Sequence, residues 1–458
     1  MKKLFAETNS LDLKCYNKFG LTEDILMEHA AFAMASFIRD NFDRKKTIFI
    51  VAGVGNNGAD GIVLGRMLHC EFVVKVLLVG DPKTTVGLAQ LERAKLVGVC
   101  FVKDFEPADI FVDAIFGSGL NKVVKGKYLE FIQMFNHSEG FKLSCDIPSG
   151  LGYCKTPVKA DVTICMGALK TILFEDFAKD FVGNIIVANL GVADELYEDK
   201  TNMFLLEKSD LKLPFRVKLT SHKGDFGHLA VICGEKKGAA ILSAKAGLNF
   251  GAGLVTVISD NEILLEEDLM QNKTIPANCT AVAFGMGLGE TTKANLDKLK
   301  ELKIAKIIDA DVLINNRILD FLGDDIVITP HPKEFIALLK ICDIAQINVE
   351  KLQENRFYYA KIFSIKYPNA TLLLKGANMI IAKNGQIFVN SFGTPALSKG
   401  GSGDVLSGMI GSLLAQGFSS LEAAINSSLA ISLAAMGYDK NNYSMTPSEL
   451  IKLIKEIK

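Results

Sequence analysis

The sequence predicts an α/β protein of two domains. Short apolar, β-rich runs alternate with helical patterns along all 458 residues. These runs are continuously hydrophobic, which is typical of parallel strands that are covered by helices on both faces. A polar stretch at 199–223, with Pro214 and several lysines, separates two series of strands. We therefore expect a doubly wound sheet over 1–205 and a second, unrelated α/β domain over 206–458.

The first domain is predicted to begin with a helix and to continue with six strands. The helical pattern covers 23–38 and precedes the first strand. The predicted strands lie at 47–53, 73–79, 109–114, 141–146, 161–165 and 184–190.

The second domain is predicted to contain a longer series of strands and three buried helices. The strands are expected at 228–234, 253–259, 281–285, 306–311, 325–329 and 371–375. Two more, 379–382 and 386–389, are joined by Asn384-Gly385, which is a strong hairpin signal. Helical patterns cover 238–248, where small residues form one face, and also 404–417 and 421–437.

Charge and cysteine usage exclude several classes of function. Lys and Arg number 51 against 52 Asp and Glu, so the basic excess expected for binding nucleic acid or an anionic membrane is absent. The nine cysteines form no CxxC pair, which argues against a disulfide framework and favours a reducing compartment. The sequence shows neither an apolar leader nor a bilayer-spanning run. We expect a cytoplasmic homo-oligomer that binds small molecules and contacts neither nucleic acid nor membrane.

The first candidate site is the segment GVGNNGADG, Gly53 to Gly61, which follows a predicted strand and opens a helix. Glycines let a ligand approach the backbone, and the free N–H groups of a helix N-terminus favour an anion such as a pyrophosphate. Asn56, Asn57 and Asp60 add side-chain oxygens that suit a ribose or a hard cation. The alternative is a glycine-rich turn in which these side chains only cap the helix.

Two further turns point to the same edge of the sheet. In VDAIFGSGL, 112–120, Asp113 stands near the end of a strand and is followed by a Gly-Ser-Gly turn. In CDIPSG, 145–150, Asp146 ends another strand before a tight turn. Each alone could be an ordinary cap and turn. Because ligands of open α/β sheets bind beyond the carboxyl ends of the strands, the three segments together predict one pocket.

The strongest signal of the second half is KGGSGDVLSGMIGSLL, 399–414. Its glycines stand just before a helix, where backbone N–H groups and the helix dipole can hold phosphoryl charge. Asp404 lies in the first helical turn. A carboxylate there repels phosphate but can take the proton of a hydroxyl that attacks phosphorus. The alternative is that Asp404 only stabilises the helix N-terminus.

Two other segments of the second half could reach the same place. TPHPKEF, 329–335, follows a strand and holds His331 between two prolines, although a lone histidine is as readily structural. LLLKGANMII, 372–381, places Lys375 and Gly376 at a strand end, where they can meet the phosphate or ribose of a nucleotide.

These motifs resemble two known enzyme families. The first half resembles the NAD(P)H-hydrate epimerases, which carry a GxGNNGGDG loop followed by DAxxGxG and DIPSG turns. The second half resembles the ribokinase-like, ADP-dependent NAD(P)H-hydrate dehydratases, which carry GAGLVT, GPGLG, DAD, TPHPxEF, LKG and GGTGD. Here those motifs stand at 251–256, 285–289, 309–311, 329–335, 374–376 and 400–404. The order resembles the fused, bifunctional repair enzymes of bacteria, which implies a Rossmann-like doubly wound sheet followed by a ribokinase-like α/β/α domain.

The resemblance implies two reactions on nicotinamide nucleotides that have been damaged by hydration at C6 of the ring. The first domain would interconvert the R and S forms of the hydrates NADHX and NADPHX. The second would dehydrate the S form to NADH or NADPH, with ADP consumed to AMP and phosphate. The implied cofactors are K⁺ in the first domain, and Mg²⁺ with ADP in the second.

The resemblance also implies roles for particular residues. Asp404 would be the general base of the dehydratase, Asp146 is the candidate for acid/base work in the epimerase, and both would contact the hydrate. The other hydrate-binding residues of the first domain would be Asn56, Asn57, Gly58, Ala59, Asp60, Gly117, Ser118, Gly119, Leu120, Asn121, Lys122 and Val123. Those of the second domain would be Ala239, Gly287 and His331. The adenine nucleotide would lie on Lys375, Gly376, Ala377, Asn378, Met379 and Gly403, and K⁺ on Asn57, Asp113 and Ser149.

Four positions depart from the family motifs. Ala59 replaces a glycine, which adds a methyl group where the backbone nears the ligand and makes a positive φ there doubtful. Met286 replaces a proline, Ser402 replaces a threonine but keeps a hydroxyl, and Met379 stands where a threonine is common. None of these changes removes a residue to which we assign chemistry.

Two other functions fit parts of the sequence. The chain could be a small-molecule kinase with a nucleotide-binding regulatory domain, and it would then release a stable phosphorylated product. Alternatively, the first half could be a ligand sensor or interaction module without catalysis.

Overall fold

A computed structural model of the chain describes residues 1–289 and 296–458. The chain divides into two compact units. The first comprises Lys3–Thr201, and the second comprises Met1–Lys2 with Asn202–Lys458. The predicted boundary after residue 205 lies a few residues beyond this division and stays a prediction.

The first unit is built on a seven-stranded sheet in which every neighbouring pair is parallel. Its strands are β2 (Thr47–Ala52), β3 (Val73–Leu78), β4 (Cys100–Val102), β5 (Ile110–Ala114), β6 (Phe141–Cys145), β7 (Val162–Met166) and β8 (Asn184–Ala188). The spatial order is β4-β3-β2-β5-β6-β7-β8. The chain therefore builds the sheet outwards in two directions, and the order reverses between β2 and β5.

Helices cover both faces of this sheet. They are α1 (Asn9–Lys14), which continues as a π-helical turn over Cys15–Phe19, α2 (Glu23–Asn41), α3 (Asn56–Leu68), α4 (Thr85–Leu96), α5 (Lys127–His137) and α6 (Asp194–Tyr197). Short 3₁₀ turns lie at Thr171–Phe174 and Asp176–Ala178. In β2, Ile48 and Ile50 belong to the core on one face, whereas Phe49 and Val51 belong to the core on the other. This burial on both faces explains why the strands read as continuous apolar runs.

The second unit is built on an eleven-stranded mixed sheet. Its strands are β1 (Lys2–Lys3), β9 (Met203–Leu205), β10 (His228–Ile232), β11 (Leu254–Ile258), β12 (Met270–Asn272), β13 (Ala281–Phe284), β14 (Ala305–Ile308), β15 (Ile326–Ile328), β16 (Thr371–Leu374), β17 (Met379–Lys383) and β18 (Gln386–Asn390). The order is β1-β9-β18-β17-β16-β15-β14-β13-β10-β11-β12. The strands from β15 to β12 are joined in parallel, whereas β17 is antiparallel to both of its neighbours.

The helices of the second unit pack on this sheet and on one another. They are α7 (Lys237–Asn249), α8 (Leu296–Glu301), α9 (Pro332–Ile341), α10 (Val349–Gln353), α11 (Arg356–Lys366), α12 (Ser402–Ala415), α13 (Ser420–Met436) and α14 (Pro447–Ile454). The backbones of α7 and α12 come very close, since a Cβ at Gly408 would lie 2.0 Å from the carbonyl oxygen of Ser243. The small-residue face predicted for 238–248 is thus used for close helix packing. The remaining 3₁₀ turns lie at Lys208–Asp210, Lys223–Phe226, Ala310–Val312, Asn316–Asp320, Pro395–Leu397 and Asn442–Ser444.

The predicted α/β class with two sheets is confirmed, and each predicted strand lies on an observed one. The predicted hairpin is also confirmed, with Asn384 and Gly385 at φ values of 47° and 75° between β17 and β18. The predictions omitted β1, β4, β9 and β12, which are only two or three residues long and are too short to stand out in the sequence. Within the described residues, no helix combines the length and the apolar character needed to cross a membrane.

Candidate functional site

In the first unit, the predicted site residues line a cleft of about 760 Å³ at the point where the strand order reverses. The segment after β2 and the segment after β5 leave the sheet side by side there, which is the usual ligand-binding place of an open α/β sheet. The cleft residues that the sequence predicted are Asn56, Asn57, Asp60, Gly117, Ser118, Gly119, Leu120, Asn121, Lys122, Val123 and Asp146.

The start of α3 brings the glycine-rich segment against the sheet. A Cβ at Gly58 would lie 1.9 Å from the carbonyl oxygen of Gly53, so the helix can approach this closely only because residue 58 is a glycine. Ala59 lies within α3, has no positive φ and is completely buried in the core. Its methyl group is therefore accommodated, and the doubt raised by this departure from the motif is removed.

Gly117 shows how closely the three predicted segments converge. A Cβ at this position would lie 3.0 Å from Oδ2 of Asp146 and 3.1 Å from Oδ1 of Asn57. The turn after β5 is thus sandwiched between the start of α3 and the end of β6. The prediction that the three turns share one pocket is confirmed by this geometry.

Asp146 is held in a strained conformation at the floor of the cleft. Its φ is +68°, which is uncommon for a residue with a side chain. Its carboxylate accepts hydrogen bonds from the backbone N–H of Ser118 at 3.1 Å and of Met166 at 3.2 Å. Both bonds come from segments at the edge of the cleft, so the carboxylate is fixed in place.

Lys170 is a site residue that the sequence analysis missed. Its ammonium group lies 2.6 Å from Oδ1 of Asp146 and donates to the carbonyl oxygen of Met166 at 3.0 Å, and its side chain is only 2% exposed. Burial alone would lower the pKa of Lys170, but the charge of Asp146 reverses this and raises that pKa. A lysine inside the apolar run that follows β7 was the available signal.

Asp60 is a second carboxyl group in the cleft, and its surroundings differ from those of Asp146. Burial, followed by the negative charges of Asp146 and Asp12, raises the pKa of Asp60 well above its usual range. Asp12 also lines the cleft, and it accepts a hydrogen bond from the hydroxyl of Tyr197 at 2.8 Å. The cleft therefore combines Asp146, which is paired with an ammonium group, and Asp60, which is biased towards its protonated form.

Asp113 and Ser149 form a buried polar cluster beneath this cleft. Asp113 is completely buried and accepts from the backbone N–H of Ser149 at 2.8 Å, from its hydroxyl, and from Ser144 at 3.0 Å. Burial raises the pKa of Asp113 to about 6, although the hydrogen bonds from Ser149 lower it. Within 1–289 and 296–458, the amide nitrogen of Asn57 is buried without a hydrogen-bond partner.

In the second unit, Asp404 lies in the first turn of α12, which begins directly after Gly401 at φ 98°. Burial, followed by the negative charge of Asp309, raises the pKa of Asp404 to about 6 against the opposing effect of Lys375 and Lys236. A carboxyl with this pKa is ionised at neutral pH yet can still accept a proton, as a general base requires.

Asp309 connects Lys375 to α12. Its buried carboxylate accepts from the ammonium group of Lys375 at 2.9 Å and from the hydroxyl of Ser407 at 2.8 Å. The ammonium group in turn lies 3.5 Å from the position that a Cβ of Gly403 would take. The predicted nucleotide residues Lys375 and Gly403 are therefore neighbours, although Lys375 is already engaged by a carboxylate.

His331 caps α9 and remains exposed. Its Nδ1 accepts from the backbone N–H groups of Lys333 at 3.1 Å and Glu334 at 3.3 Å, and its Nε2 lies 3.2 Å from Oε1 of Glu334. The side chain is 48% exposed. Capping of α9 accounts for the hydrogen bonds of Nδ1. The exposed edge of the ring leaves room for the predicted contact with a ligand.

Ala239 and Gly287 are both linked to Lys236, the residue that precedes α7. The backbone N–H of Lys236 donates to the carbonyl oxygen of Gly287 at 3.0 Å, and that of Ala239 donates to Lys236 at 3.1 Å. The charge of Lys236, which is bonded to both residues through its backbone, also lowers the pKa of Asp404.

The predicted nucleotide segment 375–379 comprises the loop 375–378 between β16 and β17 and the first residue of β17. Its last member, Met379, is 7% exposed and packs in the core, so any contact with a nucleotide would involve its backbone. Met286 is likewise fully buried in this core. The sequence analysis assigned no role to three buried polar residues of this unit, which are Asp309, Ser407 and Arg356.

A separate cavity of about 410 Å³ lies in the second unit beside the segment that leads into α12. Its walls include the apolar side chains of Phe392, Pro395 and Met436 together with Tyr438 and Asn442. A flat ring with polar edges would match such a lining.

The cleft of the first unit and the cluster of Asp404, Asp309 and Lys375 in the second belong to a two-domain α/β protein. Residues 23–172 match the family described as YjeF-related protein N-terminus, and residues 229–456 match NAD(P)H-hydrate dehydratase. Relatives named bifunctional NAD(P)H-hydrate repair enzyme Nnr cover most of the chain. That of Helicobacter pylori is 42% identical over 100% of both chains, and that of Coxiella burnetii is 32% identical over 88% of both. This chain therefore belongs to the family of bifunctional NAD(P)H-hydrate repair enzymes.

Some solved structures resemble part of the chain. The ADP/ATP-dependent NAD(P)H-hydrate dehydratase of Bacillus subtilis, co-crystallised with ATP and Mg²⁺, gives a TM-score of 0.47 at 24% identity, covering 56% of this chain and 98% of that one. A ribokinase-like protein of Enterococcus faecalis gives 0.48 at 23% identity, covering 57% and 96%.

Proposed function

We propose that this chain repairs hydrated nicotinamide nucleotides by two reactions at two separate sites. The first unit interconverts the R and S forms of NADHX and NADPHX. The second dehydrates the S form, with ADP consumed to AMP and phosphate. The observation that carries the proposal is that each unit holds its own ionisable centre, Asp146 with Lys170 in one and Asp404 with Asp309 in the other.

Epimerisation at C6 needs the C6–OH bond to break and to form again on the other face of the ring. The ring nitrogen can expel the hydroxyl if an acid protonates it, and a base must then activate the water that returns. Asp60, with its raised pKa, suits the acid, whereas Asp146 beside Lys170 suits the base. Two carboxyls with such different surroundings form a plausible acid/base pair.

Lys170 acts in this scheme by holding Asp146. Its raised pKa makes the ammonium group a poor proton donor, so its role is to fix the position of the carboxylate. The segment 117–123 forms the wall against which the hydrate would lie, and the backbone N–H groups at the start of α3 are available for its phosphates.

The residues beneath the cleft fit a potassium ion. Asp113, Ser149 and Asn57 supply a carboxylate, a hydroxyl and an amide, which are oxygen donors suited to a hard cation. The unpartnered Asn57 amide supports this assignment, because an amide can present its oxygen at that position instead. A bound cation would supply positive charge beneath the cleft, and Asp113 would be ionised beside it.

Dehydration in the second unit needs a better leaving group than hydroxide. Asp404 removes the proton of the C6 hydroxyl as its oxygen attacks the terminal phosphorus of ADP, which releases AMP. The ring nitrogen then expels phosphate, and loss of a proton from C5 forms the C5–C6 double bond of NADH or NADPH. The backbone N–H groups at Gly403 and the start of α12 hold the phosphoryl oxygens. Mg²⁺ neutralises charge on the phosphates when bound, and it is commonly held by the phosphates themselves with one or two carboxylates.

The nucleotide would extend from α12 over the segment 375–379. The cavity bounded by Phe392, Pro395 and Met436 is the apolar recess of this unit that could receive the adenine ring. His331, Ala239 and Gly287 would then contact the hydrate on the other side of Asp404. The homo-oligomeric state and the cytoplasmic location remain predictions.

The proposal is tested by mixing the purified chain with R and S hydrates of NADH, together with ADP, Mg²⁺ and K⁺. The expected result is complete conversion to NADH with one AMP and one phosphate formed for each NADH. A stable phosphorylated product would support a kinase instead. Rapid conversion of only the S form would indicate that the first unit is a binding module.

A further inference from the structure

The loop between β16 and β17, residues 375–378, is braced from beneath by a buried arginine. Arg356 opens α11 and its side chain is completely buried. Its guanidinium group donates to the carbonyl oxygens of Asn378 at 3.0 Å, Lys375 at 3.2 Å and Leu374 at 3.5 Å. One side chain therefore holds both ends of a loop that connects two antiparallel strands.

These bonds set the direction of the backbone donors of the loop. In a planar trans peptide, the C=O and the N–H point in opposite directions. The carbonyl of Lys375 faces the buried guanidinium, so the N–H of Gly376 faces away from Arg356. The peptide between Leu374 and Lys375 shows the same arrangement. Its carbonyl faces Arg356, whereas its N–H donates to the carbonyl oxygen of Pro330 at 2.9 Å.

Lys375, the first residue of this loop, reaches the predicted phosphoryl site with its side chain. The ammonium group of Lys375 is fixed by Asp309 at 2.9 Å and lies against the first turn of α12 beside Gly403. Gly376 is half-buried and Ala377 is exposed. The N–H of Gly376 thus points away from the buried Arg356, next to the lysine that lies beside the first turn of α12.

We propose that Arg356 is a positioning residue for ADP binding, which it serves by fixing the loop 375–378 without touching the nucleotide. This inference rests on the proposed role of that loop in the dehydratase reaction. Arginine suits the task because its rigid fork can donate to several carbonyls at once, whereas lysine offers a single point of charge.

The test compares Arg356→Met and Arg356→Lys with Arg317→Met. Arg317 is a half-exposed arginine of the same unit that pairs with Asp297 and Asp320, and it serves as the matched control. The full chain is used, and KM for ADP, KM for the S hydrate and kcat are measured separately. Epimerase activity in the other unit reports whether the chain is intact.

The expected result is a rise of about tenfold or more in KM for ADP in Arg356→Met, as loss of charge-assisted hydrogen bonds would give. KM for the S hydrate should stay within about twofold, and Arg356→Lys should lie between wild type and Arg356→Met. If Arg356→Met fails to fold, KM for ADP in Arg356→Lys decides the test. A raised KM supports the proposal, and a wild-type KM overturns it.

The proposal is overturned if the folded variants keep the wild-type KM for ADP. It is also overturned if KM for ADP and KM for the hydrate rise together, since that would indicate general loosening of the unit. Failure of the proposed function is distinguishable, because the wild-type chain itself would then show no ADP-dependent dehydration.

Discussion

The ammonium group of Lys170 lies 2.6 Å from the carboxylate of Asp146, and both side chains are almost completely buried. Asp146 also adopts a positive φ, so the carboxylate is fixed by its backbone, by two peptide N–H groups and by an ion pair. Such strain and such a buried pair are costly to the fold, and both occur at the floor of the cleft. This combination marks the centre of the first site.

Replacing Lys170 by Met should abolish epimerase activity and destabilise the first unit. The change leaves Asp146 buried without its partner, which costs about 3–5 kcal/mol in typical buried pairs. The double variant Lys170→Met with Asp146→Asn should recover much of that stability but no activity. Thermal unfolding and the rate of R-to-S conversion measure the two effects.

Lys155→Met is the matched control, because Lys155 is an exposed lysine of the same unit. Dehydration of pure S hydrate by the second unit should be unchanged in all of these variants. Full epimerase activity in the double variant would show that the pair has no part in the reaction.

Replacing Gly117 by Ala should strongly reduce epimerase activity. The added methyl group would lie 3.0 Å from Oδ2 of Asp146 and 3.1 Å from Oδ1 of Asn57, so the turn or these side chains must shift. A misplacement of about 1 Å at a reacting centre can lower a rate by about 100-fold, so a shift of a few tenths of an ångström should cost about tenfold. Gly119→Ala meets nothing within 4 Å and should reduce the rate much less. Equal effects of the two substitutions on kcat would contradict this account.

Much of the fold was predictable because burial leaves a direct trace in the sequence. Strands such as β2 are covered on both faces and appear as uninterrupted apolar runs, and Gly53 and Gly58 mark close approaches of the backbone. Edge strands such as β4 are short and half-exposed, so they leave no such trace.

The site was predictable only where a motif carries it. Asp113, Asp146 and Asp404 stand at strand ends or helix starts that can be recognised along the chain. Lys170 and Arg356 are distant in sequence from the groups that they hold, by 24 residues from Asp146 and 22 from Asn378. Their roles depend on tertiary contacts, which local patterns do not encode.

The dehydratase rate should fall as the pH drops through about 6. The base must be ionised, and the pKa of Asp404 is raised to about 6 by burial and by Asp309. Asp309→Asn removes that negative charge and frees the positive charge of Lys375, so both effects lower the pKa of Asp404. The acidic limb of kcat/KM should therefore move to lower pH, as a pH–rate profile would show.

Asp260→Asn provides the control for this shift, because Asp260 is an exposed carboxylate of the same unit. Its profile should match that of the wild type. An acidic limb that stays in place or moves upward in Asp309→Asn would show that Asp309 does not tune the base.

Potassium should protect the first unit more at pH 7.5 than at pH 5. The pKa of Asp113 is raised to about 6 in the folded state, so ionisation of this carboxyl lowers stability as the pH rises from about 4 through 6. A cation beside the ionised group would offset that loss. Hydrogen exchange of peptides covering 110–120 and 145–150 should slow with K⁺ at the higher pH.

The control for this experiment is a solution of tetramethylammonium at the same ionic strength, because this cation is too large for such a site. Asp113→Asn should remove the difference between the two salts. Equal protection in both salts at pH 7.5 would argue against a potassium site at these residues.

The most direct test of the account is the time course of NADH formation from a mixture of R and S hydrates, followed by absorbance at the reduced-nicotinamide band. With ADP, Mg²⁺ and K⁺, the wild-type chain should convert the whole mixture in one continuous phase. Asp146→Asn should convert the S fraction at the normal rate and then stop, and Asp404→Asn should form almost no NADH. If Asp146→Asn converts the whole mixture as fast as the wild type, or if Asp404→Asn remains active, the assignment of the two reactions to these two sites is wrong.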